Sequence, residues 1–234
     1  MKLVINQEYN HLSDWIKNIP SFFQEGKTIY KSRNEIKIFD TNFGKIVVKS
    51  FKIPHIANRF VYSFLRLSKA ERSYAYSLEI LKRGFGTPSP VAYIERFKAG
   101  LLSDSYYVST YSDGLLMRNF NFIEKLTEED IDILKAFARF TARLHEKEVY
   151  HQDYSPGNIL YKKSGETILF DLIDVNRVQF KKVTGKMAGK ALCRLEFSNE
   201  IFKIIAEEYA LQRGIPTFIL YAGINELTSR RVDK

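Results

Sequence analysis

The feature that most constrains this chain is a short polar loop between a helical pattern and a hairpin pattern. The loop reads HQDYSPGN from His151 to Asn158. Before it, apolar residues recur at helical spacing over residues 131–144. After it, residues 159–161 and 167–173 are apolar runs on either side of a Lys-Ser-Gly turn, which is typical of a hairpin. A long helix therefore runs directly into the loop, and paired strands follow it.

The spacing of His151, Asp153 and Asn158 matches the pattern H-x-D-x-x-x-x-N of phosphoryl-transfer enzymes. Such enzymes need a carboxylate near the acceptor hydroxyl, oxygen ligands for a divalent metal and a cation on the phosphates. We predict that Asp153 orients the acceptor hydroxyl and takes its proton. Asn158 lies beyond the Pro-Gly turn and is predicted to reach a metal ion. His151 is predicted to be a structural support.

A second carboxylate is expected where the apolar strand of the hairpin ends. Asp174 follows Leu172 and Ile173, a position from which a carboxylate can hold the metal that bridges the phosphates. Asp171 is the alternative, since it also follows a hydrophobic run. Asp174 is favoured because the apolar run continues past Asp171.

The cation is expected in the amino-terminal part of the chain. Lys49 lies within an apolar run over residues 47–51, where an unpaired ammonium group is costly. Glu71, on the edge of the apolar stripe of the following helix, supplies the opposite charge. An alternative is that Lys49 shares a solvated sheet face with other lysines.

Short strands are predicted at residues 28–31, 35–40 and 45–51, a helix at 67–83, and further strands at 91–95 and 105–110. Thr127 with Asp130 forms a capping signal for the long helix, and the chain from about Ala191 is predicted to be mostly helical. We predict an α+β chain with an N-lobe over residues 1–112 and a C-lobe over residues 113–234.

Composition limits the class of protein. With 18 Phe and 14 Tyr among 234 residues, the chain is too aromatic to remain unfolded. The apolar run at the start is too short for a signal peptide, and no apolar stretch is long enough to span a membrane, so we expect a cytoplasmic protein. The formal net charge of +9 favours an anionic partner without choosing among nucleotide, nucleic acid and membrane surface.

These residues resemble the protein-kinase-like superfamily, and more closely the lipopolysaccharide core kinases that include Kdo kinase and heptose kinases. The resemblance covers roughly residues 25–180. It implies a bilobal protein-kinase-like fold, with a small antiparallel-sheet N-lobe carrying one main helix and a mostly helical C-lobe. It also implies ATP and Mg²⁺ or Mn²⁺ as cofactors. The implied roles are Lys49 and Glu71 for ATP binding, Asp153 as base, and Asn158 and Asp174 as metal ligands.

The departures from typical protein kinases concern the phosphates and the acceptor. No glycine-rich loop occupies the first strand turn, so Arg33 and backbone N–H groups are predicted to cover the phosphates. Val-Asn replaces the Phe-Gly that follows the metal aspartate, and no Ala-Pro-Glu follows. A peptide-binding platform is therefore not expected, which favours a sugar hydroxyl of a lipopolysaccharide core or related glycolipid as the acceptor.

Two other functions stay open from the sequence. One is a compact atypical protein kinase of the RIO type, and the other is a non-catalytic kinase-fold binding protein. A nucleic-acid partner is not expected, because the basic residues are scattered rather than interleaved with stacking aromatics. The basic, aromatic segment 52–66 suggests peripheral contact with the inner membrane surface, and an amphipathic helix packed on the N-lobe is the alternative.

Overall fold

The computed structural model describes residues 1–51 and 67–222, so the segment 52–66 lies outside the described residues. The chain divides into two compact units. The first unit comprises residues 1–82 and 88–112, and the second comprises residues 83–87 and 113–234. Each unit is built around its own elements and is described by itself.

The first unit is built on a six-stranded antiparallel sheet. The strands in chain order are β1 Lys2–Ile5, β2 Lys27–Lys31, β3 Asn34–Thr41, β4 Gly44–Phe51, β5 Pro90–Lys98 and β6 Leu101–Thr110. Their spatial order is β1-β5-β6-β4-β3-β2. The five strands predicted from the sequence are confirmed, each within a few residues of the expected bounds. Strand β1 was not predicted; it pairs with β5 at one edge of the sheet.

Two helices cover the two faces of this sheet. Helix α1 (Ser13–Phe22) buries Ile16 and Ile19 in a core that includes Val48 of β4. Helix α2 (Lys69–Lys82) places Ala70 in a second core with aromatic residues of the sheet. Successive side chains of a strand point to opposite faces, so Val48 lies on the α1 side and its neighbour Lys49 on the other. The alternation in β4 thus orients Lys49 toward the face that α2 covers.

The described residues of the second unit form helices and two small sheets. The α-helices include α3 Glu128–Glu146, α4 Gly185–Cys193 and α5 Asn199–Arg213. The strands are β7 Leu115–Leu116, β8 Val149–His151, β9 Ile159–Ser164, β10 Thr167–Leu172 and β11 Val178–Phe180. Sheet order is β10-β9-β7 in one sheet and β11-β8 in the other. The predicted hairpin is the antiparallel pair β9–β10.

Helix α3 is the long helix that the sequence predicts before the polar loop. It begins with a full capping box, in which Thr127 and Asp130 satisfy each other's backbone N–H groups. Its apolar stripe is buried, and Leu134, Phe137 and Leu144 have no exposed surface. Truncating a buried phenylalanine such as Phe137 to alanine typically costs about 3–5 kcal/mol, so this stripe is a main source of stability for the unit.

The α+β architecture predicted from the sequence is confirmed. The antiparallel sheet forms the amino-terminal part, and the helices α3–α5 dominate the carboxy-terminal part. Residues 1–26, for which the sequence predicted no element, form β1, α1 and two short 3₁₀ helices. Among the described residues, no helix is both long and apolar enough to cross a membrane.

Candidate active site

His151 connects the two predicted catalytic segments of the second unit. The backbone N–H of Asp153 donates to His151 Nδ1 at 3.1 Å, so the ring proton lies on Nε2. Nε2 in turn donates to the backbone carbonyl of Asp174 at 2.7 Å. Burial lowers the pKa of His151 below its ordinary value, which keeps the ring neutral and this tautomer in place. The expectation that His151 is a structural support agrees with this geometry.

Tyr154 anchors the polar loop to helix α3. Its side chain is fully buried and stacks near Phe137, with ring centroids 6.0 Å apart. Its hydroxyl shares a 2.7 Å hydrogen bond with Thr141, and burial raises the pKa of Tyr154 well above its usual range. A buried hydroxyl that is satisfied in this way fixes the loop without leaving an unpaired polar group.

The hairpin brings Asn158 next to the chain that leads to Asp174. Ile159 pairs with Leu172, and the N–H of Ile173 donates to the carbonyl of Asn158 at 3.0 Å. Asn158 Nδ2 donates to the carbonyl of Asp153 at 2.9 Å, so its amide oxygen remains as an acceptor. Asp174 lies just beyond the strand end, and its Oδ1 accepts from Asn176. One amide oxygen and one carboxylate are ligands that suit Mg²⁺.

Asp171, the alternative carboxylate, lies within strand β10. Gly86 forms an isolated parallel bridge with it, and the N–H of Leu172 donates to the carbonyl of Gly86 at 2.9 Å. A Cβ atom at Gly86 would overlap Asp171 Oδ1 and the backbone of Phe170. The close approach of Gly86 gives Asp171 a packing role. Strand β10 continues past Asp171, as expected. This supports the preference for Asp174 as metal ligand, which stays a prediction.

Two arginines that we did not single out from the sequence flank the polar loop. Arg177 Nη1 lies 3.5 Å from Asp153 Oδ2. The Arg118 guanidinium lies against Gly157, where an added Cβ atom would come within 2.8 Å of Arg118 Cζ. Arg177 closely follows Asp174 in the sequence, and this proximity could have identified it as a residue of the candidate site. No sequence pattern connects Arg118 to the loop, because the contact is made through the tertiary fold.

In the first unit, Lys49 is nearly buried on the face of the sheet that α2 covers. Its side chain is 7% exposed, and Nζ lies 5.3 Å from the centroid of the Phe51 ring. This excludes the alternative of a lysine on a solvated face. The assignment of Lys49 to the phosphates stays a prediction.

Glu71 has a different partner from the one predicted. Its Oε1 accepts from Lys2 Nζ at 2.8 Å and from the Tyr93 hydroxyl at 3.0 Å. In the part of the chain that the structure describes, the expected ion pair between Lys49 and Glu71 is therefore not formed. Partial burial lowers the pKa of Lys2, but the hydrogen bonds to Glu71 and Tyr93 and the nearby carboxylate of Glu95 together outweigh burial and raise this pKa above its ordinary value.

The sheet register explains the change of partner. Lys49 faces Tyr107 across β4–β6, and Tyr107 faces Tyr93 across β6–β5. Tyr93 is thus two strands, or about 10 Å, from Lys49. Glu71 binds the Tyr93 hydroxyl and lies toward the β1 edge of the sheet, where Lys2 pairs with Glu95 in register. The cation that pairs with Glu71 is therefore Lys2 of β1, the strand that was not predicted.

Arg33, predicted to cover the phosphates, lies in the exposed turn between β2 and β3. The turn is closed by a hydrogen bond of 3.0 Å from the N–H of Ser32 to the carbonyl of Asn34. His145 is buried in the second unit and shares a 2.9 Å hydrogen bond with the Tyr209 hydroxyl.

The profile of the lipopolysaccharide kinase (Kdo/WaaP) family matches residues 79–213, more than half of the chain. This chain belongs to that family. The match begins after Lys49 and Glu71 and includes the polar loop, the hairpin and Asp174. Membership of the Kdo/WaaP family makes the protein a kinase, a phosphotransferase of lipopolysaccharide biosynthesis.

A solved structure shares the fold of this Kdo/WaaP kinase, which confirms the protein-kinase-like fold predicted from the sequence. The structure titled "WaaP in complex with acyl carrier protein" is similar with a TM-score of 0.67 and 18% identity. That match covers 100% of this chain and 98% of the other. The Mycobacterium tuberculosis PknI kinase domain matches at a TM-score of 0.43 and 15% identity, over 78% of this chain and 72% of that one. No curated protein sequence matches this chain.

Proposed function

We propose that this kinase transfers the γ-phosphoryl group of ATP to a sugar hydroxyl of a lipopolysaccharide core, on Kdo or heptose, or of a related glycolipid. The observation that carries the proposal is the double hydrogen bond of His151, which joins the backbone of Asp153 to that of Asp174. One buried ring thus holds the segments of the proposed base and of the proposed metal carboxylate. This arrangement is suited to in-line phosphoryl transfer. Family membership supplies the class of acceptor.

In the proposed reaction, the acceptor oxygen attacks the γ-phosphorus, and the bond from that phosphorus to the β–γ bridging oxygen breaks. The proton of the hydroxyl passes to the carboxylate of Asp153, and ADP leaves. Asn158 and Asp174 are proposed to hold Mg²⁺, or Mn²⁺, which neutralises charge on the phosphates. Lys49 is proposed to contact the phosphates, with Arg33 covering them and Glu71 in a supporting position.

The anionic partners proposed for this chain are ATP and the glycolipid acceptor, in keeping with the net charge of +9. A cytoplasmic kinase acting on a glycolipid must meet its acceptor at the inner membrane surface, so we propose peripheral contact there. The segment 52–66, suggested from the sequence for this contact, lies outside the described residues. Nucleic acid is not a proposed partner.

The direct test offers γ-labelled ATP with Mg²⁺ to the purified protein together with inner-core lipopolysaccharide, and separately with generic protein acceptors. Label in the lipopolysaccharide, lost in Asp174→Ala, is the expected result. Label only in protein would favour the RIO-type kinase. No transfer and no thermal stabilisation by ATP with Mg²⁺ would favour the non-catalytic binding protein.

A further inference from the structure

Two guanidinium groups lie beside the proposed catalytic loop within the second unit. Arg118 contributes one from the 3₁₀ helix Met117–Phe122, and Arg177 contributes the other from the segment after Asp174. Both side chains are exposed to solvent. Neither has a role in the chemistry proposed above, which uses Asp153 as base and Asn158 and Asp174 as metal ligands.

Arg118 is placed on the loop by the absence of a side chain at Gly157. The guanidinium occupies the space that a Cβ atom at Gly157 would take. Among the described residues, Arg118 forms no hydrogen bond or ion pair through its side chain, although its five N–H groups suit a planar anion. A cation that lies on the catalytic loop with its donors unused is available to a ligand.

Arg177 is held by an ion pair that a ligand can replace. Its Nη1 lies 3.5 Å from Asp153 Oδ2, with the two side chains 59% and 45% exposed. At this distance and exposure an ion pair contributes little, so exchange for a ligand anion is inexpensive. The backbone fixes its position, because the N–H of Gln152 donates to the carbonyl of Arg177 at 3.2 Å.

We infer that Arg118 and Arg177 bind an anionic group of the acceptor, a carboxylate or a phosphate, next to the hydroxyl that is phosphorylated. The inference rests on the proposed function and makes its substrate class narrower: the acceptor is an acidic sugar and not a neutral one. Arginine is suited to this task because its planar fork binds carboxylate and phosphate through two parallel hydrogen bonds. Arg177 lies beside Asp153 and Arg118 lies on Gly157 of the same loop, so both guanidinium groups border the proposed catalytic loop.

The test measures KM for two acceptors with Arg118→Ala, Arg177→Ala and the wild type. One acceptor is a Kdo-containing core oligosaccharide with its carboxylates and phosphates intact. The other is the same oligosaccharide with its phosphates removed and its carboxylates converted to methyl esters. We expect each substitution to raise KM about tenfold for the anionic acceptor, with KM for ATP changed less than about twofold. For the neutral acceptor, wild type and variants should have similar KM values.

Arg139→Ala is the matched control. Arg139 is a half-exposed arginine of helix α3 in the same unit, and its partner is Glu208 of α5, at 2.9 Å. The substitution removes the same charge without touching the loop, so KM for both acceptors should stay at the wild-type value. Arg118→Lys and Arg177→Lys keep the charge without the fork and should recover part of the lost affinity.

Gly157→Ala provides an independent variant that does not alter Arg118 itself. The new methyl group displaces the far end of a flexible side chain, so the fold should be retained. We expect a raised KM for the anionic acceptor in the wild-type background and no further rise when it is added to Arg118→Ala. Additive effects of the two substitutions would contradict a shared role.

The outcomes separate the inference from the function on which it rests. Wild-type protein that labels neither oligosaccharide would overturn both. Wild-type protein that labels the anionic oligosaccharide, with unchanged KM in both arginine variants, would overturn this inference alone. A rise in KM for ATP in place of KM for the acceptor would assign the two arginines to the nucleotide and overturn it as well.

Discussion

The two units hold their candidate site residues in different ways. In the second unit, buried rings fix the loop: His151 joins Asp153 to Asp174, and Tyr154 fastens the loop to α3. In the first unit, Glu71 is held by Lys2, a residue with a side chain that is 45% exposed on an edge strand. Buried, fully paired networks specify one geometry, whereas exposed ion pairs are weak and replaceable. The difference indicates that the proposed catalytic loop is preorganised and that the residues proposed for phosphate binding are held in a more adjustable way.

The largest expected effect is that of Asp153→Ala. Loss of the proposed base should lower kcat by about 100- to 10,000-fold, because the carboxylate proposed to take the proton of the acceptor is removed. ATP binding, measured by thermal shift or calorimetry with Mg²⁺, should stay close to wild type. A wild-type kcat in Asp153→Ala would show that the loop is not catalytic. The comparison between the two units would then lose its basis.

A smaller effect is expected from Lys49 and Lys2 of the first unit. Lys49→Ala should raise KM for ATP and lower kcat, each by about tenfold, since a charge-assisted contact to phosphate is lost. Lys2→Ala should change either constant by less than about threefold, because its pair with Glu71 is partly exposed. Steady-state kinetics at varied ATP distinguish the two. A larger loss in Lys2→Ala would mean that the Lys2–Glu71 pair itself is needed for ATP binding.

The buried His145 predicts a pH-dependent stability of the second unit. Burial lowers the pKa of His145 to about 3, whereas in the unfolded chain it is about 6.5. Below pH 6.5 the unfolded state binds the proton and the folded state does not, so stability falls as the pH falls from 6.5 toward 3. Between pH 7.5 and 5.0 the contribution of His145 to the free energy of unfolding should fall by about 2 kcal/mol.

Chemical denaturation at these two pH values measures the change, and His145→Gln is the control. Glutamine keeps a polar group for Tyr209 but does not titrate. We expect the pH dependence of the variant to be smaller than that of wild type by the same amount. Equal pH dependence in the two proteins would show that the site is more open to solvent than its burial indicates.

The smallest effects compare a helix cap in each unit. Thr127 caps α3 through a capping box, and Ser68 caps α2 by accepting from the N–H of Glu71 at 3.0 Å. Alanine at either position should lower stability by about 1 kcal/mol, measured as a shift in thermal midpoint. Only Ser68→Ala should also change KM for ATP, because Ser68 holds the helix end that carries Glu71. A change of KM for ATP in Thr127→Ala would show that the proposed catalytic loop depends on the cap of α3 more than its own buried contacts indicate.

Much of the fold followed from local patterns in the sequence. Apolar periodicity predicted α3 and α2, alternation and turn residues predicted five of the six sheet strands, and the cap at Thr127 was correctly placed. Strand β1 was missed because a short edge strand of four residues carries little pattern of its own. Helix α1 was missed as well, in a segment whose apolar residues matter only once the sheet is present to cover them.

The sequence by itself determined which residues of the polar loop are candidates for catalysis and metal binding. His151, Asp153 and Asn158 lie within eight residues, and the hairpin that follows brings Asp174 near them through a short connection. Only the tertiary structure decided the partner of Glu71, which lies 69 residues from Lys2, and the place of Arg118 over Gly157. Local spacing is read from the chain because backbone geometry fixes it. Contacts between distant segments depend on sheet order and register, which no local pattern carries.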